Sequence, residues 1–341
     1  MAKRRLTDQQ KRRIQASQKA RITRSNQKNV DAIDEDSLGP GQKGLIFARY
    51  SRHVDVKALE GDAYGTVIRS HLRTNIDSIA VGDFVVWRQT PQGQGVVVAV
   101  EERQSLIERP DGLGKLKPIA ANIDQVFVVF AVEPEPHPNL IDRYLIAAEN
   151  SGIEAKIVVN KTDLLTKDAK QYEFIQTLLQ TYRDLGYAVF EVSCENNHGM
   201  ESIRAALKGK TSIFAGQSGV GKSSMINTLM PEIHAKVGAL SQHVVKGRHT
   251  TTTSTMFELE GDGYLIDSPG IREFHLSHLE KSQIFAGYKE LQPLLGQCQF
   301  RDCNHQQEPG CAVQELLQTD TMAETRKTSL SYILNSLDLM A

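Results

Sequence analysis

The rhythm of apolar residues changes three times along the chain. Up to residue 39 they are sparse. Leu6, Ile14 and Ile22 recur every eight positions, a spacing that drifts around a helix and encodes no apolar face. The rest of this stretch is Gln, Arg, Lys and Ser, so residues 1–39 are expected to stay disordered until bound. From about Gly41 to Gly112, short runs rich in Val, Ile and aromatics alternate with Gly, Asp, Pro and Gln turns. The runs are Gly44–Tyr50, Tyr64–Ile68, Asp83–Arg88 and Val96–Val100. This spacing predicts a small all-β barrel of the OB or SH3 sort over residues 40–112.

Over residues 113–276 strands and helices alternate. Ile123–Val132, Ala155–Val159, Ala188–Val192, Ser212–Ala215 and Tyr264–Ile266 read as strands. Asn139–Asn150, Tyr172–Leu185, Ser202–Leu207 and Lys222–Leu229 read as helices. The alternation predicts an α/β domain with a parallel sheet covered on both faces, whose chemistry belongs in the loops after its strands. Residues 277–341 read as mainly helical. There Leu330, Ile333, Leu334 and Leu337 form an i, i+3, i+4, i+7 stripe of core packing.

Length and charge sharpen this picture. The 341 residues suit two or three domains at roughly 150 residues each. The net charge of −1 hides an asymmetry: residues 1–28 carry ten Lys or Arg and one acid, Asp8. That arm is +9 and the remainder −10, which points to a polyanion such as nucleic acid as the arm's partner, with a solvated tail as the alternative. The longest apolar run, Val126–Val132, is too short to cross a membrane. The N-terminus lacks the apolar segment of an export signal. Four cysteines, three of them near the end, suit a metal site in a reducing compartment, so a cytoplasmic location is expected.

Gly216-Gln217-Ser218-Gly219-Val220-Gly221-Lys222-Ser223 fits G-x-x-x-x-G-K-[ST] between a strand and a helix. Glycines there let backbone N–H groups face phosphate oxygens, with the helix N-terminus adding partial positive charge that reaches Ser224. Lys222 is expected on the β- and γ-phosphates and Ser223 on Mg²⁺. Asn160-Lys161-Thr162-Asp163 ends another strand. A carboxylate at Asp163 accepts from N1–H and the amino group of guanine, donors that adenine lacks there, so GTP is favoured over ATP. Asp267-Ser268-Pro269-Gly270 would hold Mg²⁺ through Asp267 and offer the γ-phosphate the Gly270 N–H. Gly247-Arg248-His249-Thr250-Thr251-Thr252 lies in a long segment without apolar period. Thr250, or its neighbour Thr251, would close onto Mg²⁺. Ser193-Cys194-Glu195 fits the last guanine-side loop.

The order of these motifs is permuted. In a standard small GTPase the P-loop comes first, whereas here Asn160–Asp163 and Ser193-Cys194 precede it. The sheet is therefore expected to be circularly permuted, with the Asp267–Gly270 loop running straight into the C-terminal region, where γ-phosphate-driven movement could pull. Cys298, Cys303, His305 and Cys311 offer three thiols and an imidazole within fourteen residues, a closed set that suits one structural zinc and leaves no open position for zinc catalysis.

The basic arm, barrel, permuted motifs and zinc cluster together resemble the ribosome small-subunit-dependent GTPase A family over essentially the whole chain. The resemblance implies an OB-fold barrel, GTP hydrolysis to GDP stimulated by the 30S subunit, 16S rRNA binding and a role in late 30S maturation in the bacterial cytoplasm. GTP, GDP and other 30S assembly factors are the further partners expected of a monomer with no membrane contact. The residue after Gly270 is Ile271, which cannot orient a water, so turnover alone should be slow, or lost altogether in a GTP-sensing scaffold. His249 is the best internal candidate for the missing polar group, and the resemblance points to the same residue.

Overall fold

The computed structural model describes residues 37–338 apart from 52, 74, 75, 77, 111–113, 166–168, 232–253, 268–278 and 307. The chain forms two compact units, Met1–Glu102 and Arg103–Ala341.

Within the first unit β1 (Gln42–Arg49), β2 (His53–Ala58), β3 (Val67–Leu72), β4 (Phe84–Gln89) and β5 (Gly95–Val100) pair in the order 1-2-3-5-4. A further β1–β4 pairing closes the ring. Only β3–β5 is parallel, so this is the five-stranded barrel of the OB-fold. Period-two alternation sends Ile46, Val54, Val56, Val85 and Val97 inward around Trp87, all of them buried. Trp87 packs where a Cβ on Gly44 would overlap its ring, and its Nε1 donates to the Lys43 carbonyl at 3.3 Å.

Two elements depart from the pattern-based reading. The run Tyr64–Ile68 starts in a turn, with Gly65 at φ 78°, and the strand begins only at Val67. Strand β2 reads His-Val-Asp-Val-Lys-Ala, where polar outward residues masked the inward valines.

The second unit opens with a hairpin, β6 (Leu106–Pro110) and β7 (Leu116–Ala121). A six-stranded sheet comes next: β8 (Gln125–Ala131), β9 (Glu154–Asn160), β10 (Ala188–Glu191), β11 (Thr211–Ala215), β12 (Thr255–Leu259) and β13 (Gly263–Asp267). Its spatial order is 10-9-8-11-13-12, parallel except for β12, which runs antiparallel to β13. All seven residues of β8 are buried, as expected of a strand covered on both faces. Phe127, Val129 and Ala131 meet α3 (Met200–Leu207) and α4 (Lys222–Leu229) through Met200, Ile203, Met225 and Leu229. The alternate residues of β8 face the side of α1 (Pro138–Asn150) and α2 (Ala169–Asp184).

Helix α1 is shared between two cores. Its Ile146 and Ala147 join Ile284 and Phe285 of α5 (Lys281–Ala286), Val313 of α6 (Ala312–Leu317), and Leu330 and Ile333 of α7 (Glu324–Asp338). The predicted stripe on α7 is thus core packing. Gly287 lies so close to α1 that a Cβ there would sit 2.6 Å from Ile146 Cγ2. No helix among the described residues is long and apolar enough to cross a membrane.

Trp87 is the chain's single tryptophan, so its fluorescence reports on the barrel alone. Ile46→Ala, which empties space beside it, is expected to destabilise the fluorescence-detected unfolding transition by roughly 2–5 kcal/mol in urea titration.

Candidate functional site

Parallel pairing brings the carboxyl ends of β9, β8, β11 and β13 to one edge of the sheet. Ala131 is in register with Asn160, Ala215 with Val128, and Ile213 with Ile266. The loop after β11 therefore emerges at mid-sheet. The loops after β9 and β10 lie to one side of it and the end of β13 to the other.

Residues Gly216–Gly221 turn from β11 into α4. Gly216 has φ 148°, and a Cβ on it would strike the Val129 carbonyl of the neighbouring strand. Gly221 has φ 92°, and a Cβ there would strike the Asn160 side chain. Neither position accepts another residue without rearrangement. Val220, the apolar member of the loop, is buried in the core beneath it. Gln217 is half-buried, while Ser218 and Gly219 are exposed. Lys222 Nζ donates to the carbonyls of Gly216 and Gln217, each at 2.6 Å, so the ammonium lies within the loop's own curve. Ser223 and Ser224 sit in the first turn of α4, with their backbone N–H groups at its positive end.

The loop after β9 locks onto this turn. Asn160 is 1% exposed, and its Nδ2 donates to the Val220 carbonyl at 2.9 Å. Lys161 adopts the left-handed conformation, φ 62°, and its Nζ donates to the Gly219 carbonyl at 2.9 Å and that of Glu133 at 2.6 Å. Such backbone strain costs on the order of 1–3 kcal/mol and gathers where geometry serves binding. Thr162 uses both its N–H and its hydroxyl on the Val192 carbonyl, joining the β9 and β10 loops. Ser193 Oγ donates to Asp163 Oδ1 at 2.5 Å and fixes the carboxylate's rotation. Cys194 Sγ donates to Asn160 Oδ1 at 3.7 Å. Burial raises the thiol's pKa above its ordinary value, so it remains a protonated donor.

Asp267 closes β13 with an exposed side chain, in register with Thr255 at the start of β12. His249, Thr250 and Gly270 lie outside the described residues, as does most of the basic arm. The sequence reading missed the Val132–His137 loop after β8, which receives Lys161 at Glu133 and places Pro134 beside Gly219. Its signal was positional, since it too comes after a strand at the carboxyl edge.

In the C-terminal part of this unit Cys298, Cys303, His305 and Cys311 converge, with their ligand atoms all within 4.8 Å of one another. His305 Nδ1 lies 3.5, 3.6 and 3.4 Å from the sulfurs of Cys298, Cys303 and Cys311, and Cys298 and Cys311 are 3.9 Å apart. Zinc bonds of about 2.3 Å to sulfur and 2.0–2.1 Å to nitrogen give tetrahedral edges of roughly 3.5–3.8 Å, so the four donors fit zinc. Cys311 also caps α6 by accepting from Gln314 N, while Gln314 Nε2 donates to the His305 carbonyl at 2.6 Å. The His305 ring meets Phe285 edge-on at 4.9 Å.

Fold and site together define a P-loop GTPase with a circularly permuted chain. The profile of the RsgA GTPase family matches residues 100–277. The chain is 47% identical over 340 residues to the small ribosomal subunit biogenesis GTPase RsgA of Ectopseudomonas mendocina, covering 99% of this chain and 98% of that one. The protein of the same name from Pseudomonas aeruginosa is also 47% identical, with the same coverage. Among solved structures, YjeQ from Thermotoga maritima superposes with a TM-score of 0.71 at 31% identity, covering 87% of this chain and 99% of its own. YloQ, described as a circularly permuted GTPase, gives 0.70 at 26%, covering 91% and 99%. This chain belongs to the RsgA GTPase family, and its reaction is GTP hydrolysis.

Cys311→Ala should abolish zinc retention and loosen the helical core, because it removes both a ligand and the α6 cap. Elemental analysis after dialysis, with near-UV dichroism, checks this; full metal content would refute the ligand assignment.

Proposed function

We propose that this GTPase acts in late maturation of the small ribosomal subunit, binding 16S rRNA and hydrolysing GTP faster when the 30S particle is bound. The observation that carries the site assignment is the Asn160–Val220 bond, which couples a guanine-type loop to a phosphate-type loop across the sheet edge. The names of the relatives support the ribosomal setting. The surplus of ten cations over one acid in residues 1–28 suits an RNA partner.

In this reading Asp163, held by Ser193, accepts from the guanine edge, and the Cys194 backbone completes the base loop. The stem of Lys161 lies along the ring. Backbone N–H groups of Gly216–Ser224 receive phosphate oxygens, and Lys222 shifts from its own loop carbonyls to the β- and γ-phosphates. Ser223, Asp267 and Thr250 would hold Mg²⁺, which when bound neutralises charge between those phosphates. Gly270 would offer its N–H to the γ-phosphate. The attacking water needs a polar group that Ile271 lacks, and His249 supplies it when the ribosome brings it to that water. A partner-dependent group of this kind is worth about 10³–10⁵ in rate. One structural zinc holds the C-terminal loops. The protein works in the cytoplasm as a monomer, alongside other assembly factors.

Two measurements test this. His249→Ala should erase most 30S-stimulated single-turnover hydrolysis while GTP affinity stays near wild type; surviving stimulation would remove His249 from catalysis. Asp163→Ala should weaken GTP binding by a hundredfold or more and leave weak ATP binding unaltered in calorimetry, since the carboxylate recognises only the guanine edge.

A further inference from the structure

A second charged cluster lies away from the nucleotide loops, with its central ion pair enclosed and its outer carboxylate, Glu290, 12% exposed. Asp142 on α1 is wholly buried and Arg326 on α7 is 1% exposed. Arg326 Nη1 bonds Asp142 Oδ1. The other edge of its guanidinium closes on Glu290, with Nε to Oε1 at 2.8 Å and Nη2 to Oε2 at 2.9 Å. Tyr182 of α2 donates to Asp142 Oδ1 at 2.8 Å, and the Tyr288 ring lies under the guanidinium at 4.2 Å. Burial raises the pKa of Asp142, with Arg326 opposing the shift. Burial and the adjacent carboxylate keep the Tyr182 phenol protonated, so it remains a donor.

Packed apolar residues would hold four elements together at least as stably as buried ions do. What a planar fork adds is direction, because it fixes the angle at which α7 meets α1. Arg143 Nη2 to Ser336 Oγ, at 2.6 Å, makes a second link between the same helices. The chain just before α1 belongs to the nucleotide site. Val132 N donates to the Asn160 carbonyl at 3.1 Å, the Glu133 carbonyl receives Lys161, and Pro134 lies beside Gly219. Glu133 and Asp142 are separated by one short loop and the first turn of α1.

We infer that Arg326 is a positioning residue for GTP and GDP. Through Asp142 it seats α1, and through α1 it holds the Val132–His137 loop that keeps Lys161 against the P-loop. The coupling rests on assigning Asn160–Asp163 and Gly216–Ser223 to the nucleotide. Because linkage is reciprocal, nucleotide must in turn tighten α7, and with it the zinc-bearing core that contains Leu330 and Ile333.

Amide hydrogen exchange on the full-length zinc-loaded protein, with and without saturating GDP, tests this without any substitution. Added protection is expected in Gly216–Ser224 and also in Glu324–Asp338. Protection of the P-loop with α7 unchanged would overturn the coupling alone. A P-loop indifferent to GDP would overturn the nucleotide assignment, and the coupling with it. Arg326→Lys, which keeps the charge but loses the fork, adds a kinetic arm at a temperature where dichroism shows it folded. Dissociation of GDP and GTP should quicken about tenfold alike, with the single-turnover hydrolysis rate of bound GTP changing less than twofold. Native dissociation rates in a variant with lowered Tm would assign Arg326 to stability only and refute the proposal.

Discussion

The side-chain amide of Asn160 joins the two halves of a site that the chain itself does not connect in the usual order. Its Nδ2 reaches the Val220 carbonyl across sixty residues of sequence, and its Oδ1 receives the Cys194 thiol. The amide is shielded from water, where an unpaired polar group would cost about 1–3 kcal/mol. It therefore has one satisfied orientation, and that orientation sets the spacing between the loop after β9 and the turn after β11. Gly221 is required at the same point, since any side chain there would displace the amide.

A parallel sheet makes this tolerance of reordering intelligible. Each strand brings its carboxyl end to the same edge, so the site depends on which strands are neighbours and not on which comes first. Strand β8, buried on both faces, stands between the loop after β9 and the turn after β11 and carries a loop that touches both. Permutation changes where the chain goes on leaving the site. The strand bearing Asp267 leads toward the helical C-terminal region, while α1 packs into that region's core from the other direction. One covalent route, through β13, and one route by packing, through α1, thus run from this edge of the sheet to the part that carries the Cys3His cluster.

The four side chains that fit zinc are built into the C-terminal hydrophobic core. Cys311 is buried among Phe285, Val313 and Leu330, and the His305 ring rests against Phe285, so the metal donors and the hydrophobic cluster are one structure. The buried Arg326–Asp142–Glu290 group orients this core on α1. Charge supplies direction where leucines and isoleucines supply cohesion.

Much of the fold was legible because its signals are local. The unbroken apolar run of β8, the strand–glycine–lysine–helix passage at 211–229 and the clustered cysteines each encode their geometry within a few residues. Strand β2 and the β6–β7 hairpin were missed, since a barrel strand alternating polar with apolar residues takes its stability from neighbours distant in sequence. The sequence by itself named the side chains proposed to cradle phosphate, read a base or bind zinc, because each set is encoded within a few residues. Only tertiary structure decided that Glu133 would receive Lys161 and that Asp142, an acid in an otherwise amphipathic helix, would lie wholly buried against Arg326. Those contacts span 28 and 184 residues, and no local pattern encodes an ion pair whose members meet only after two cores have packed on the same helix.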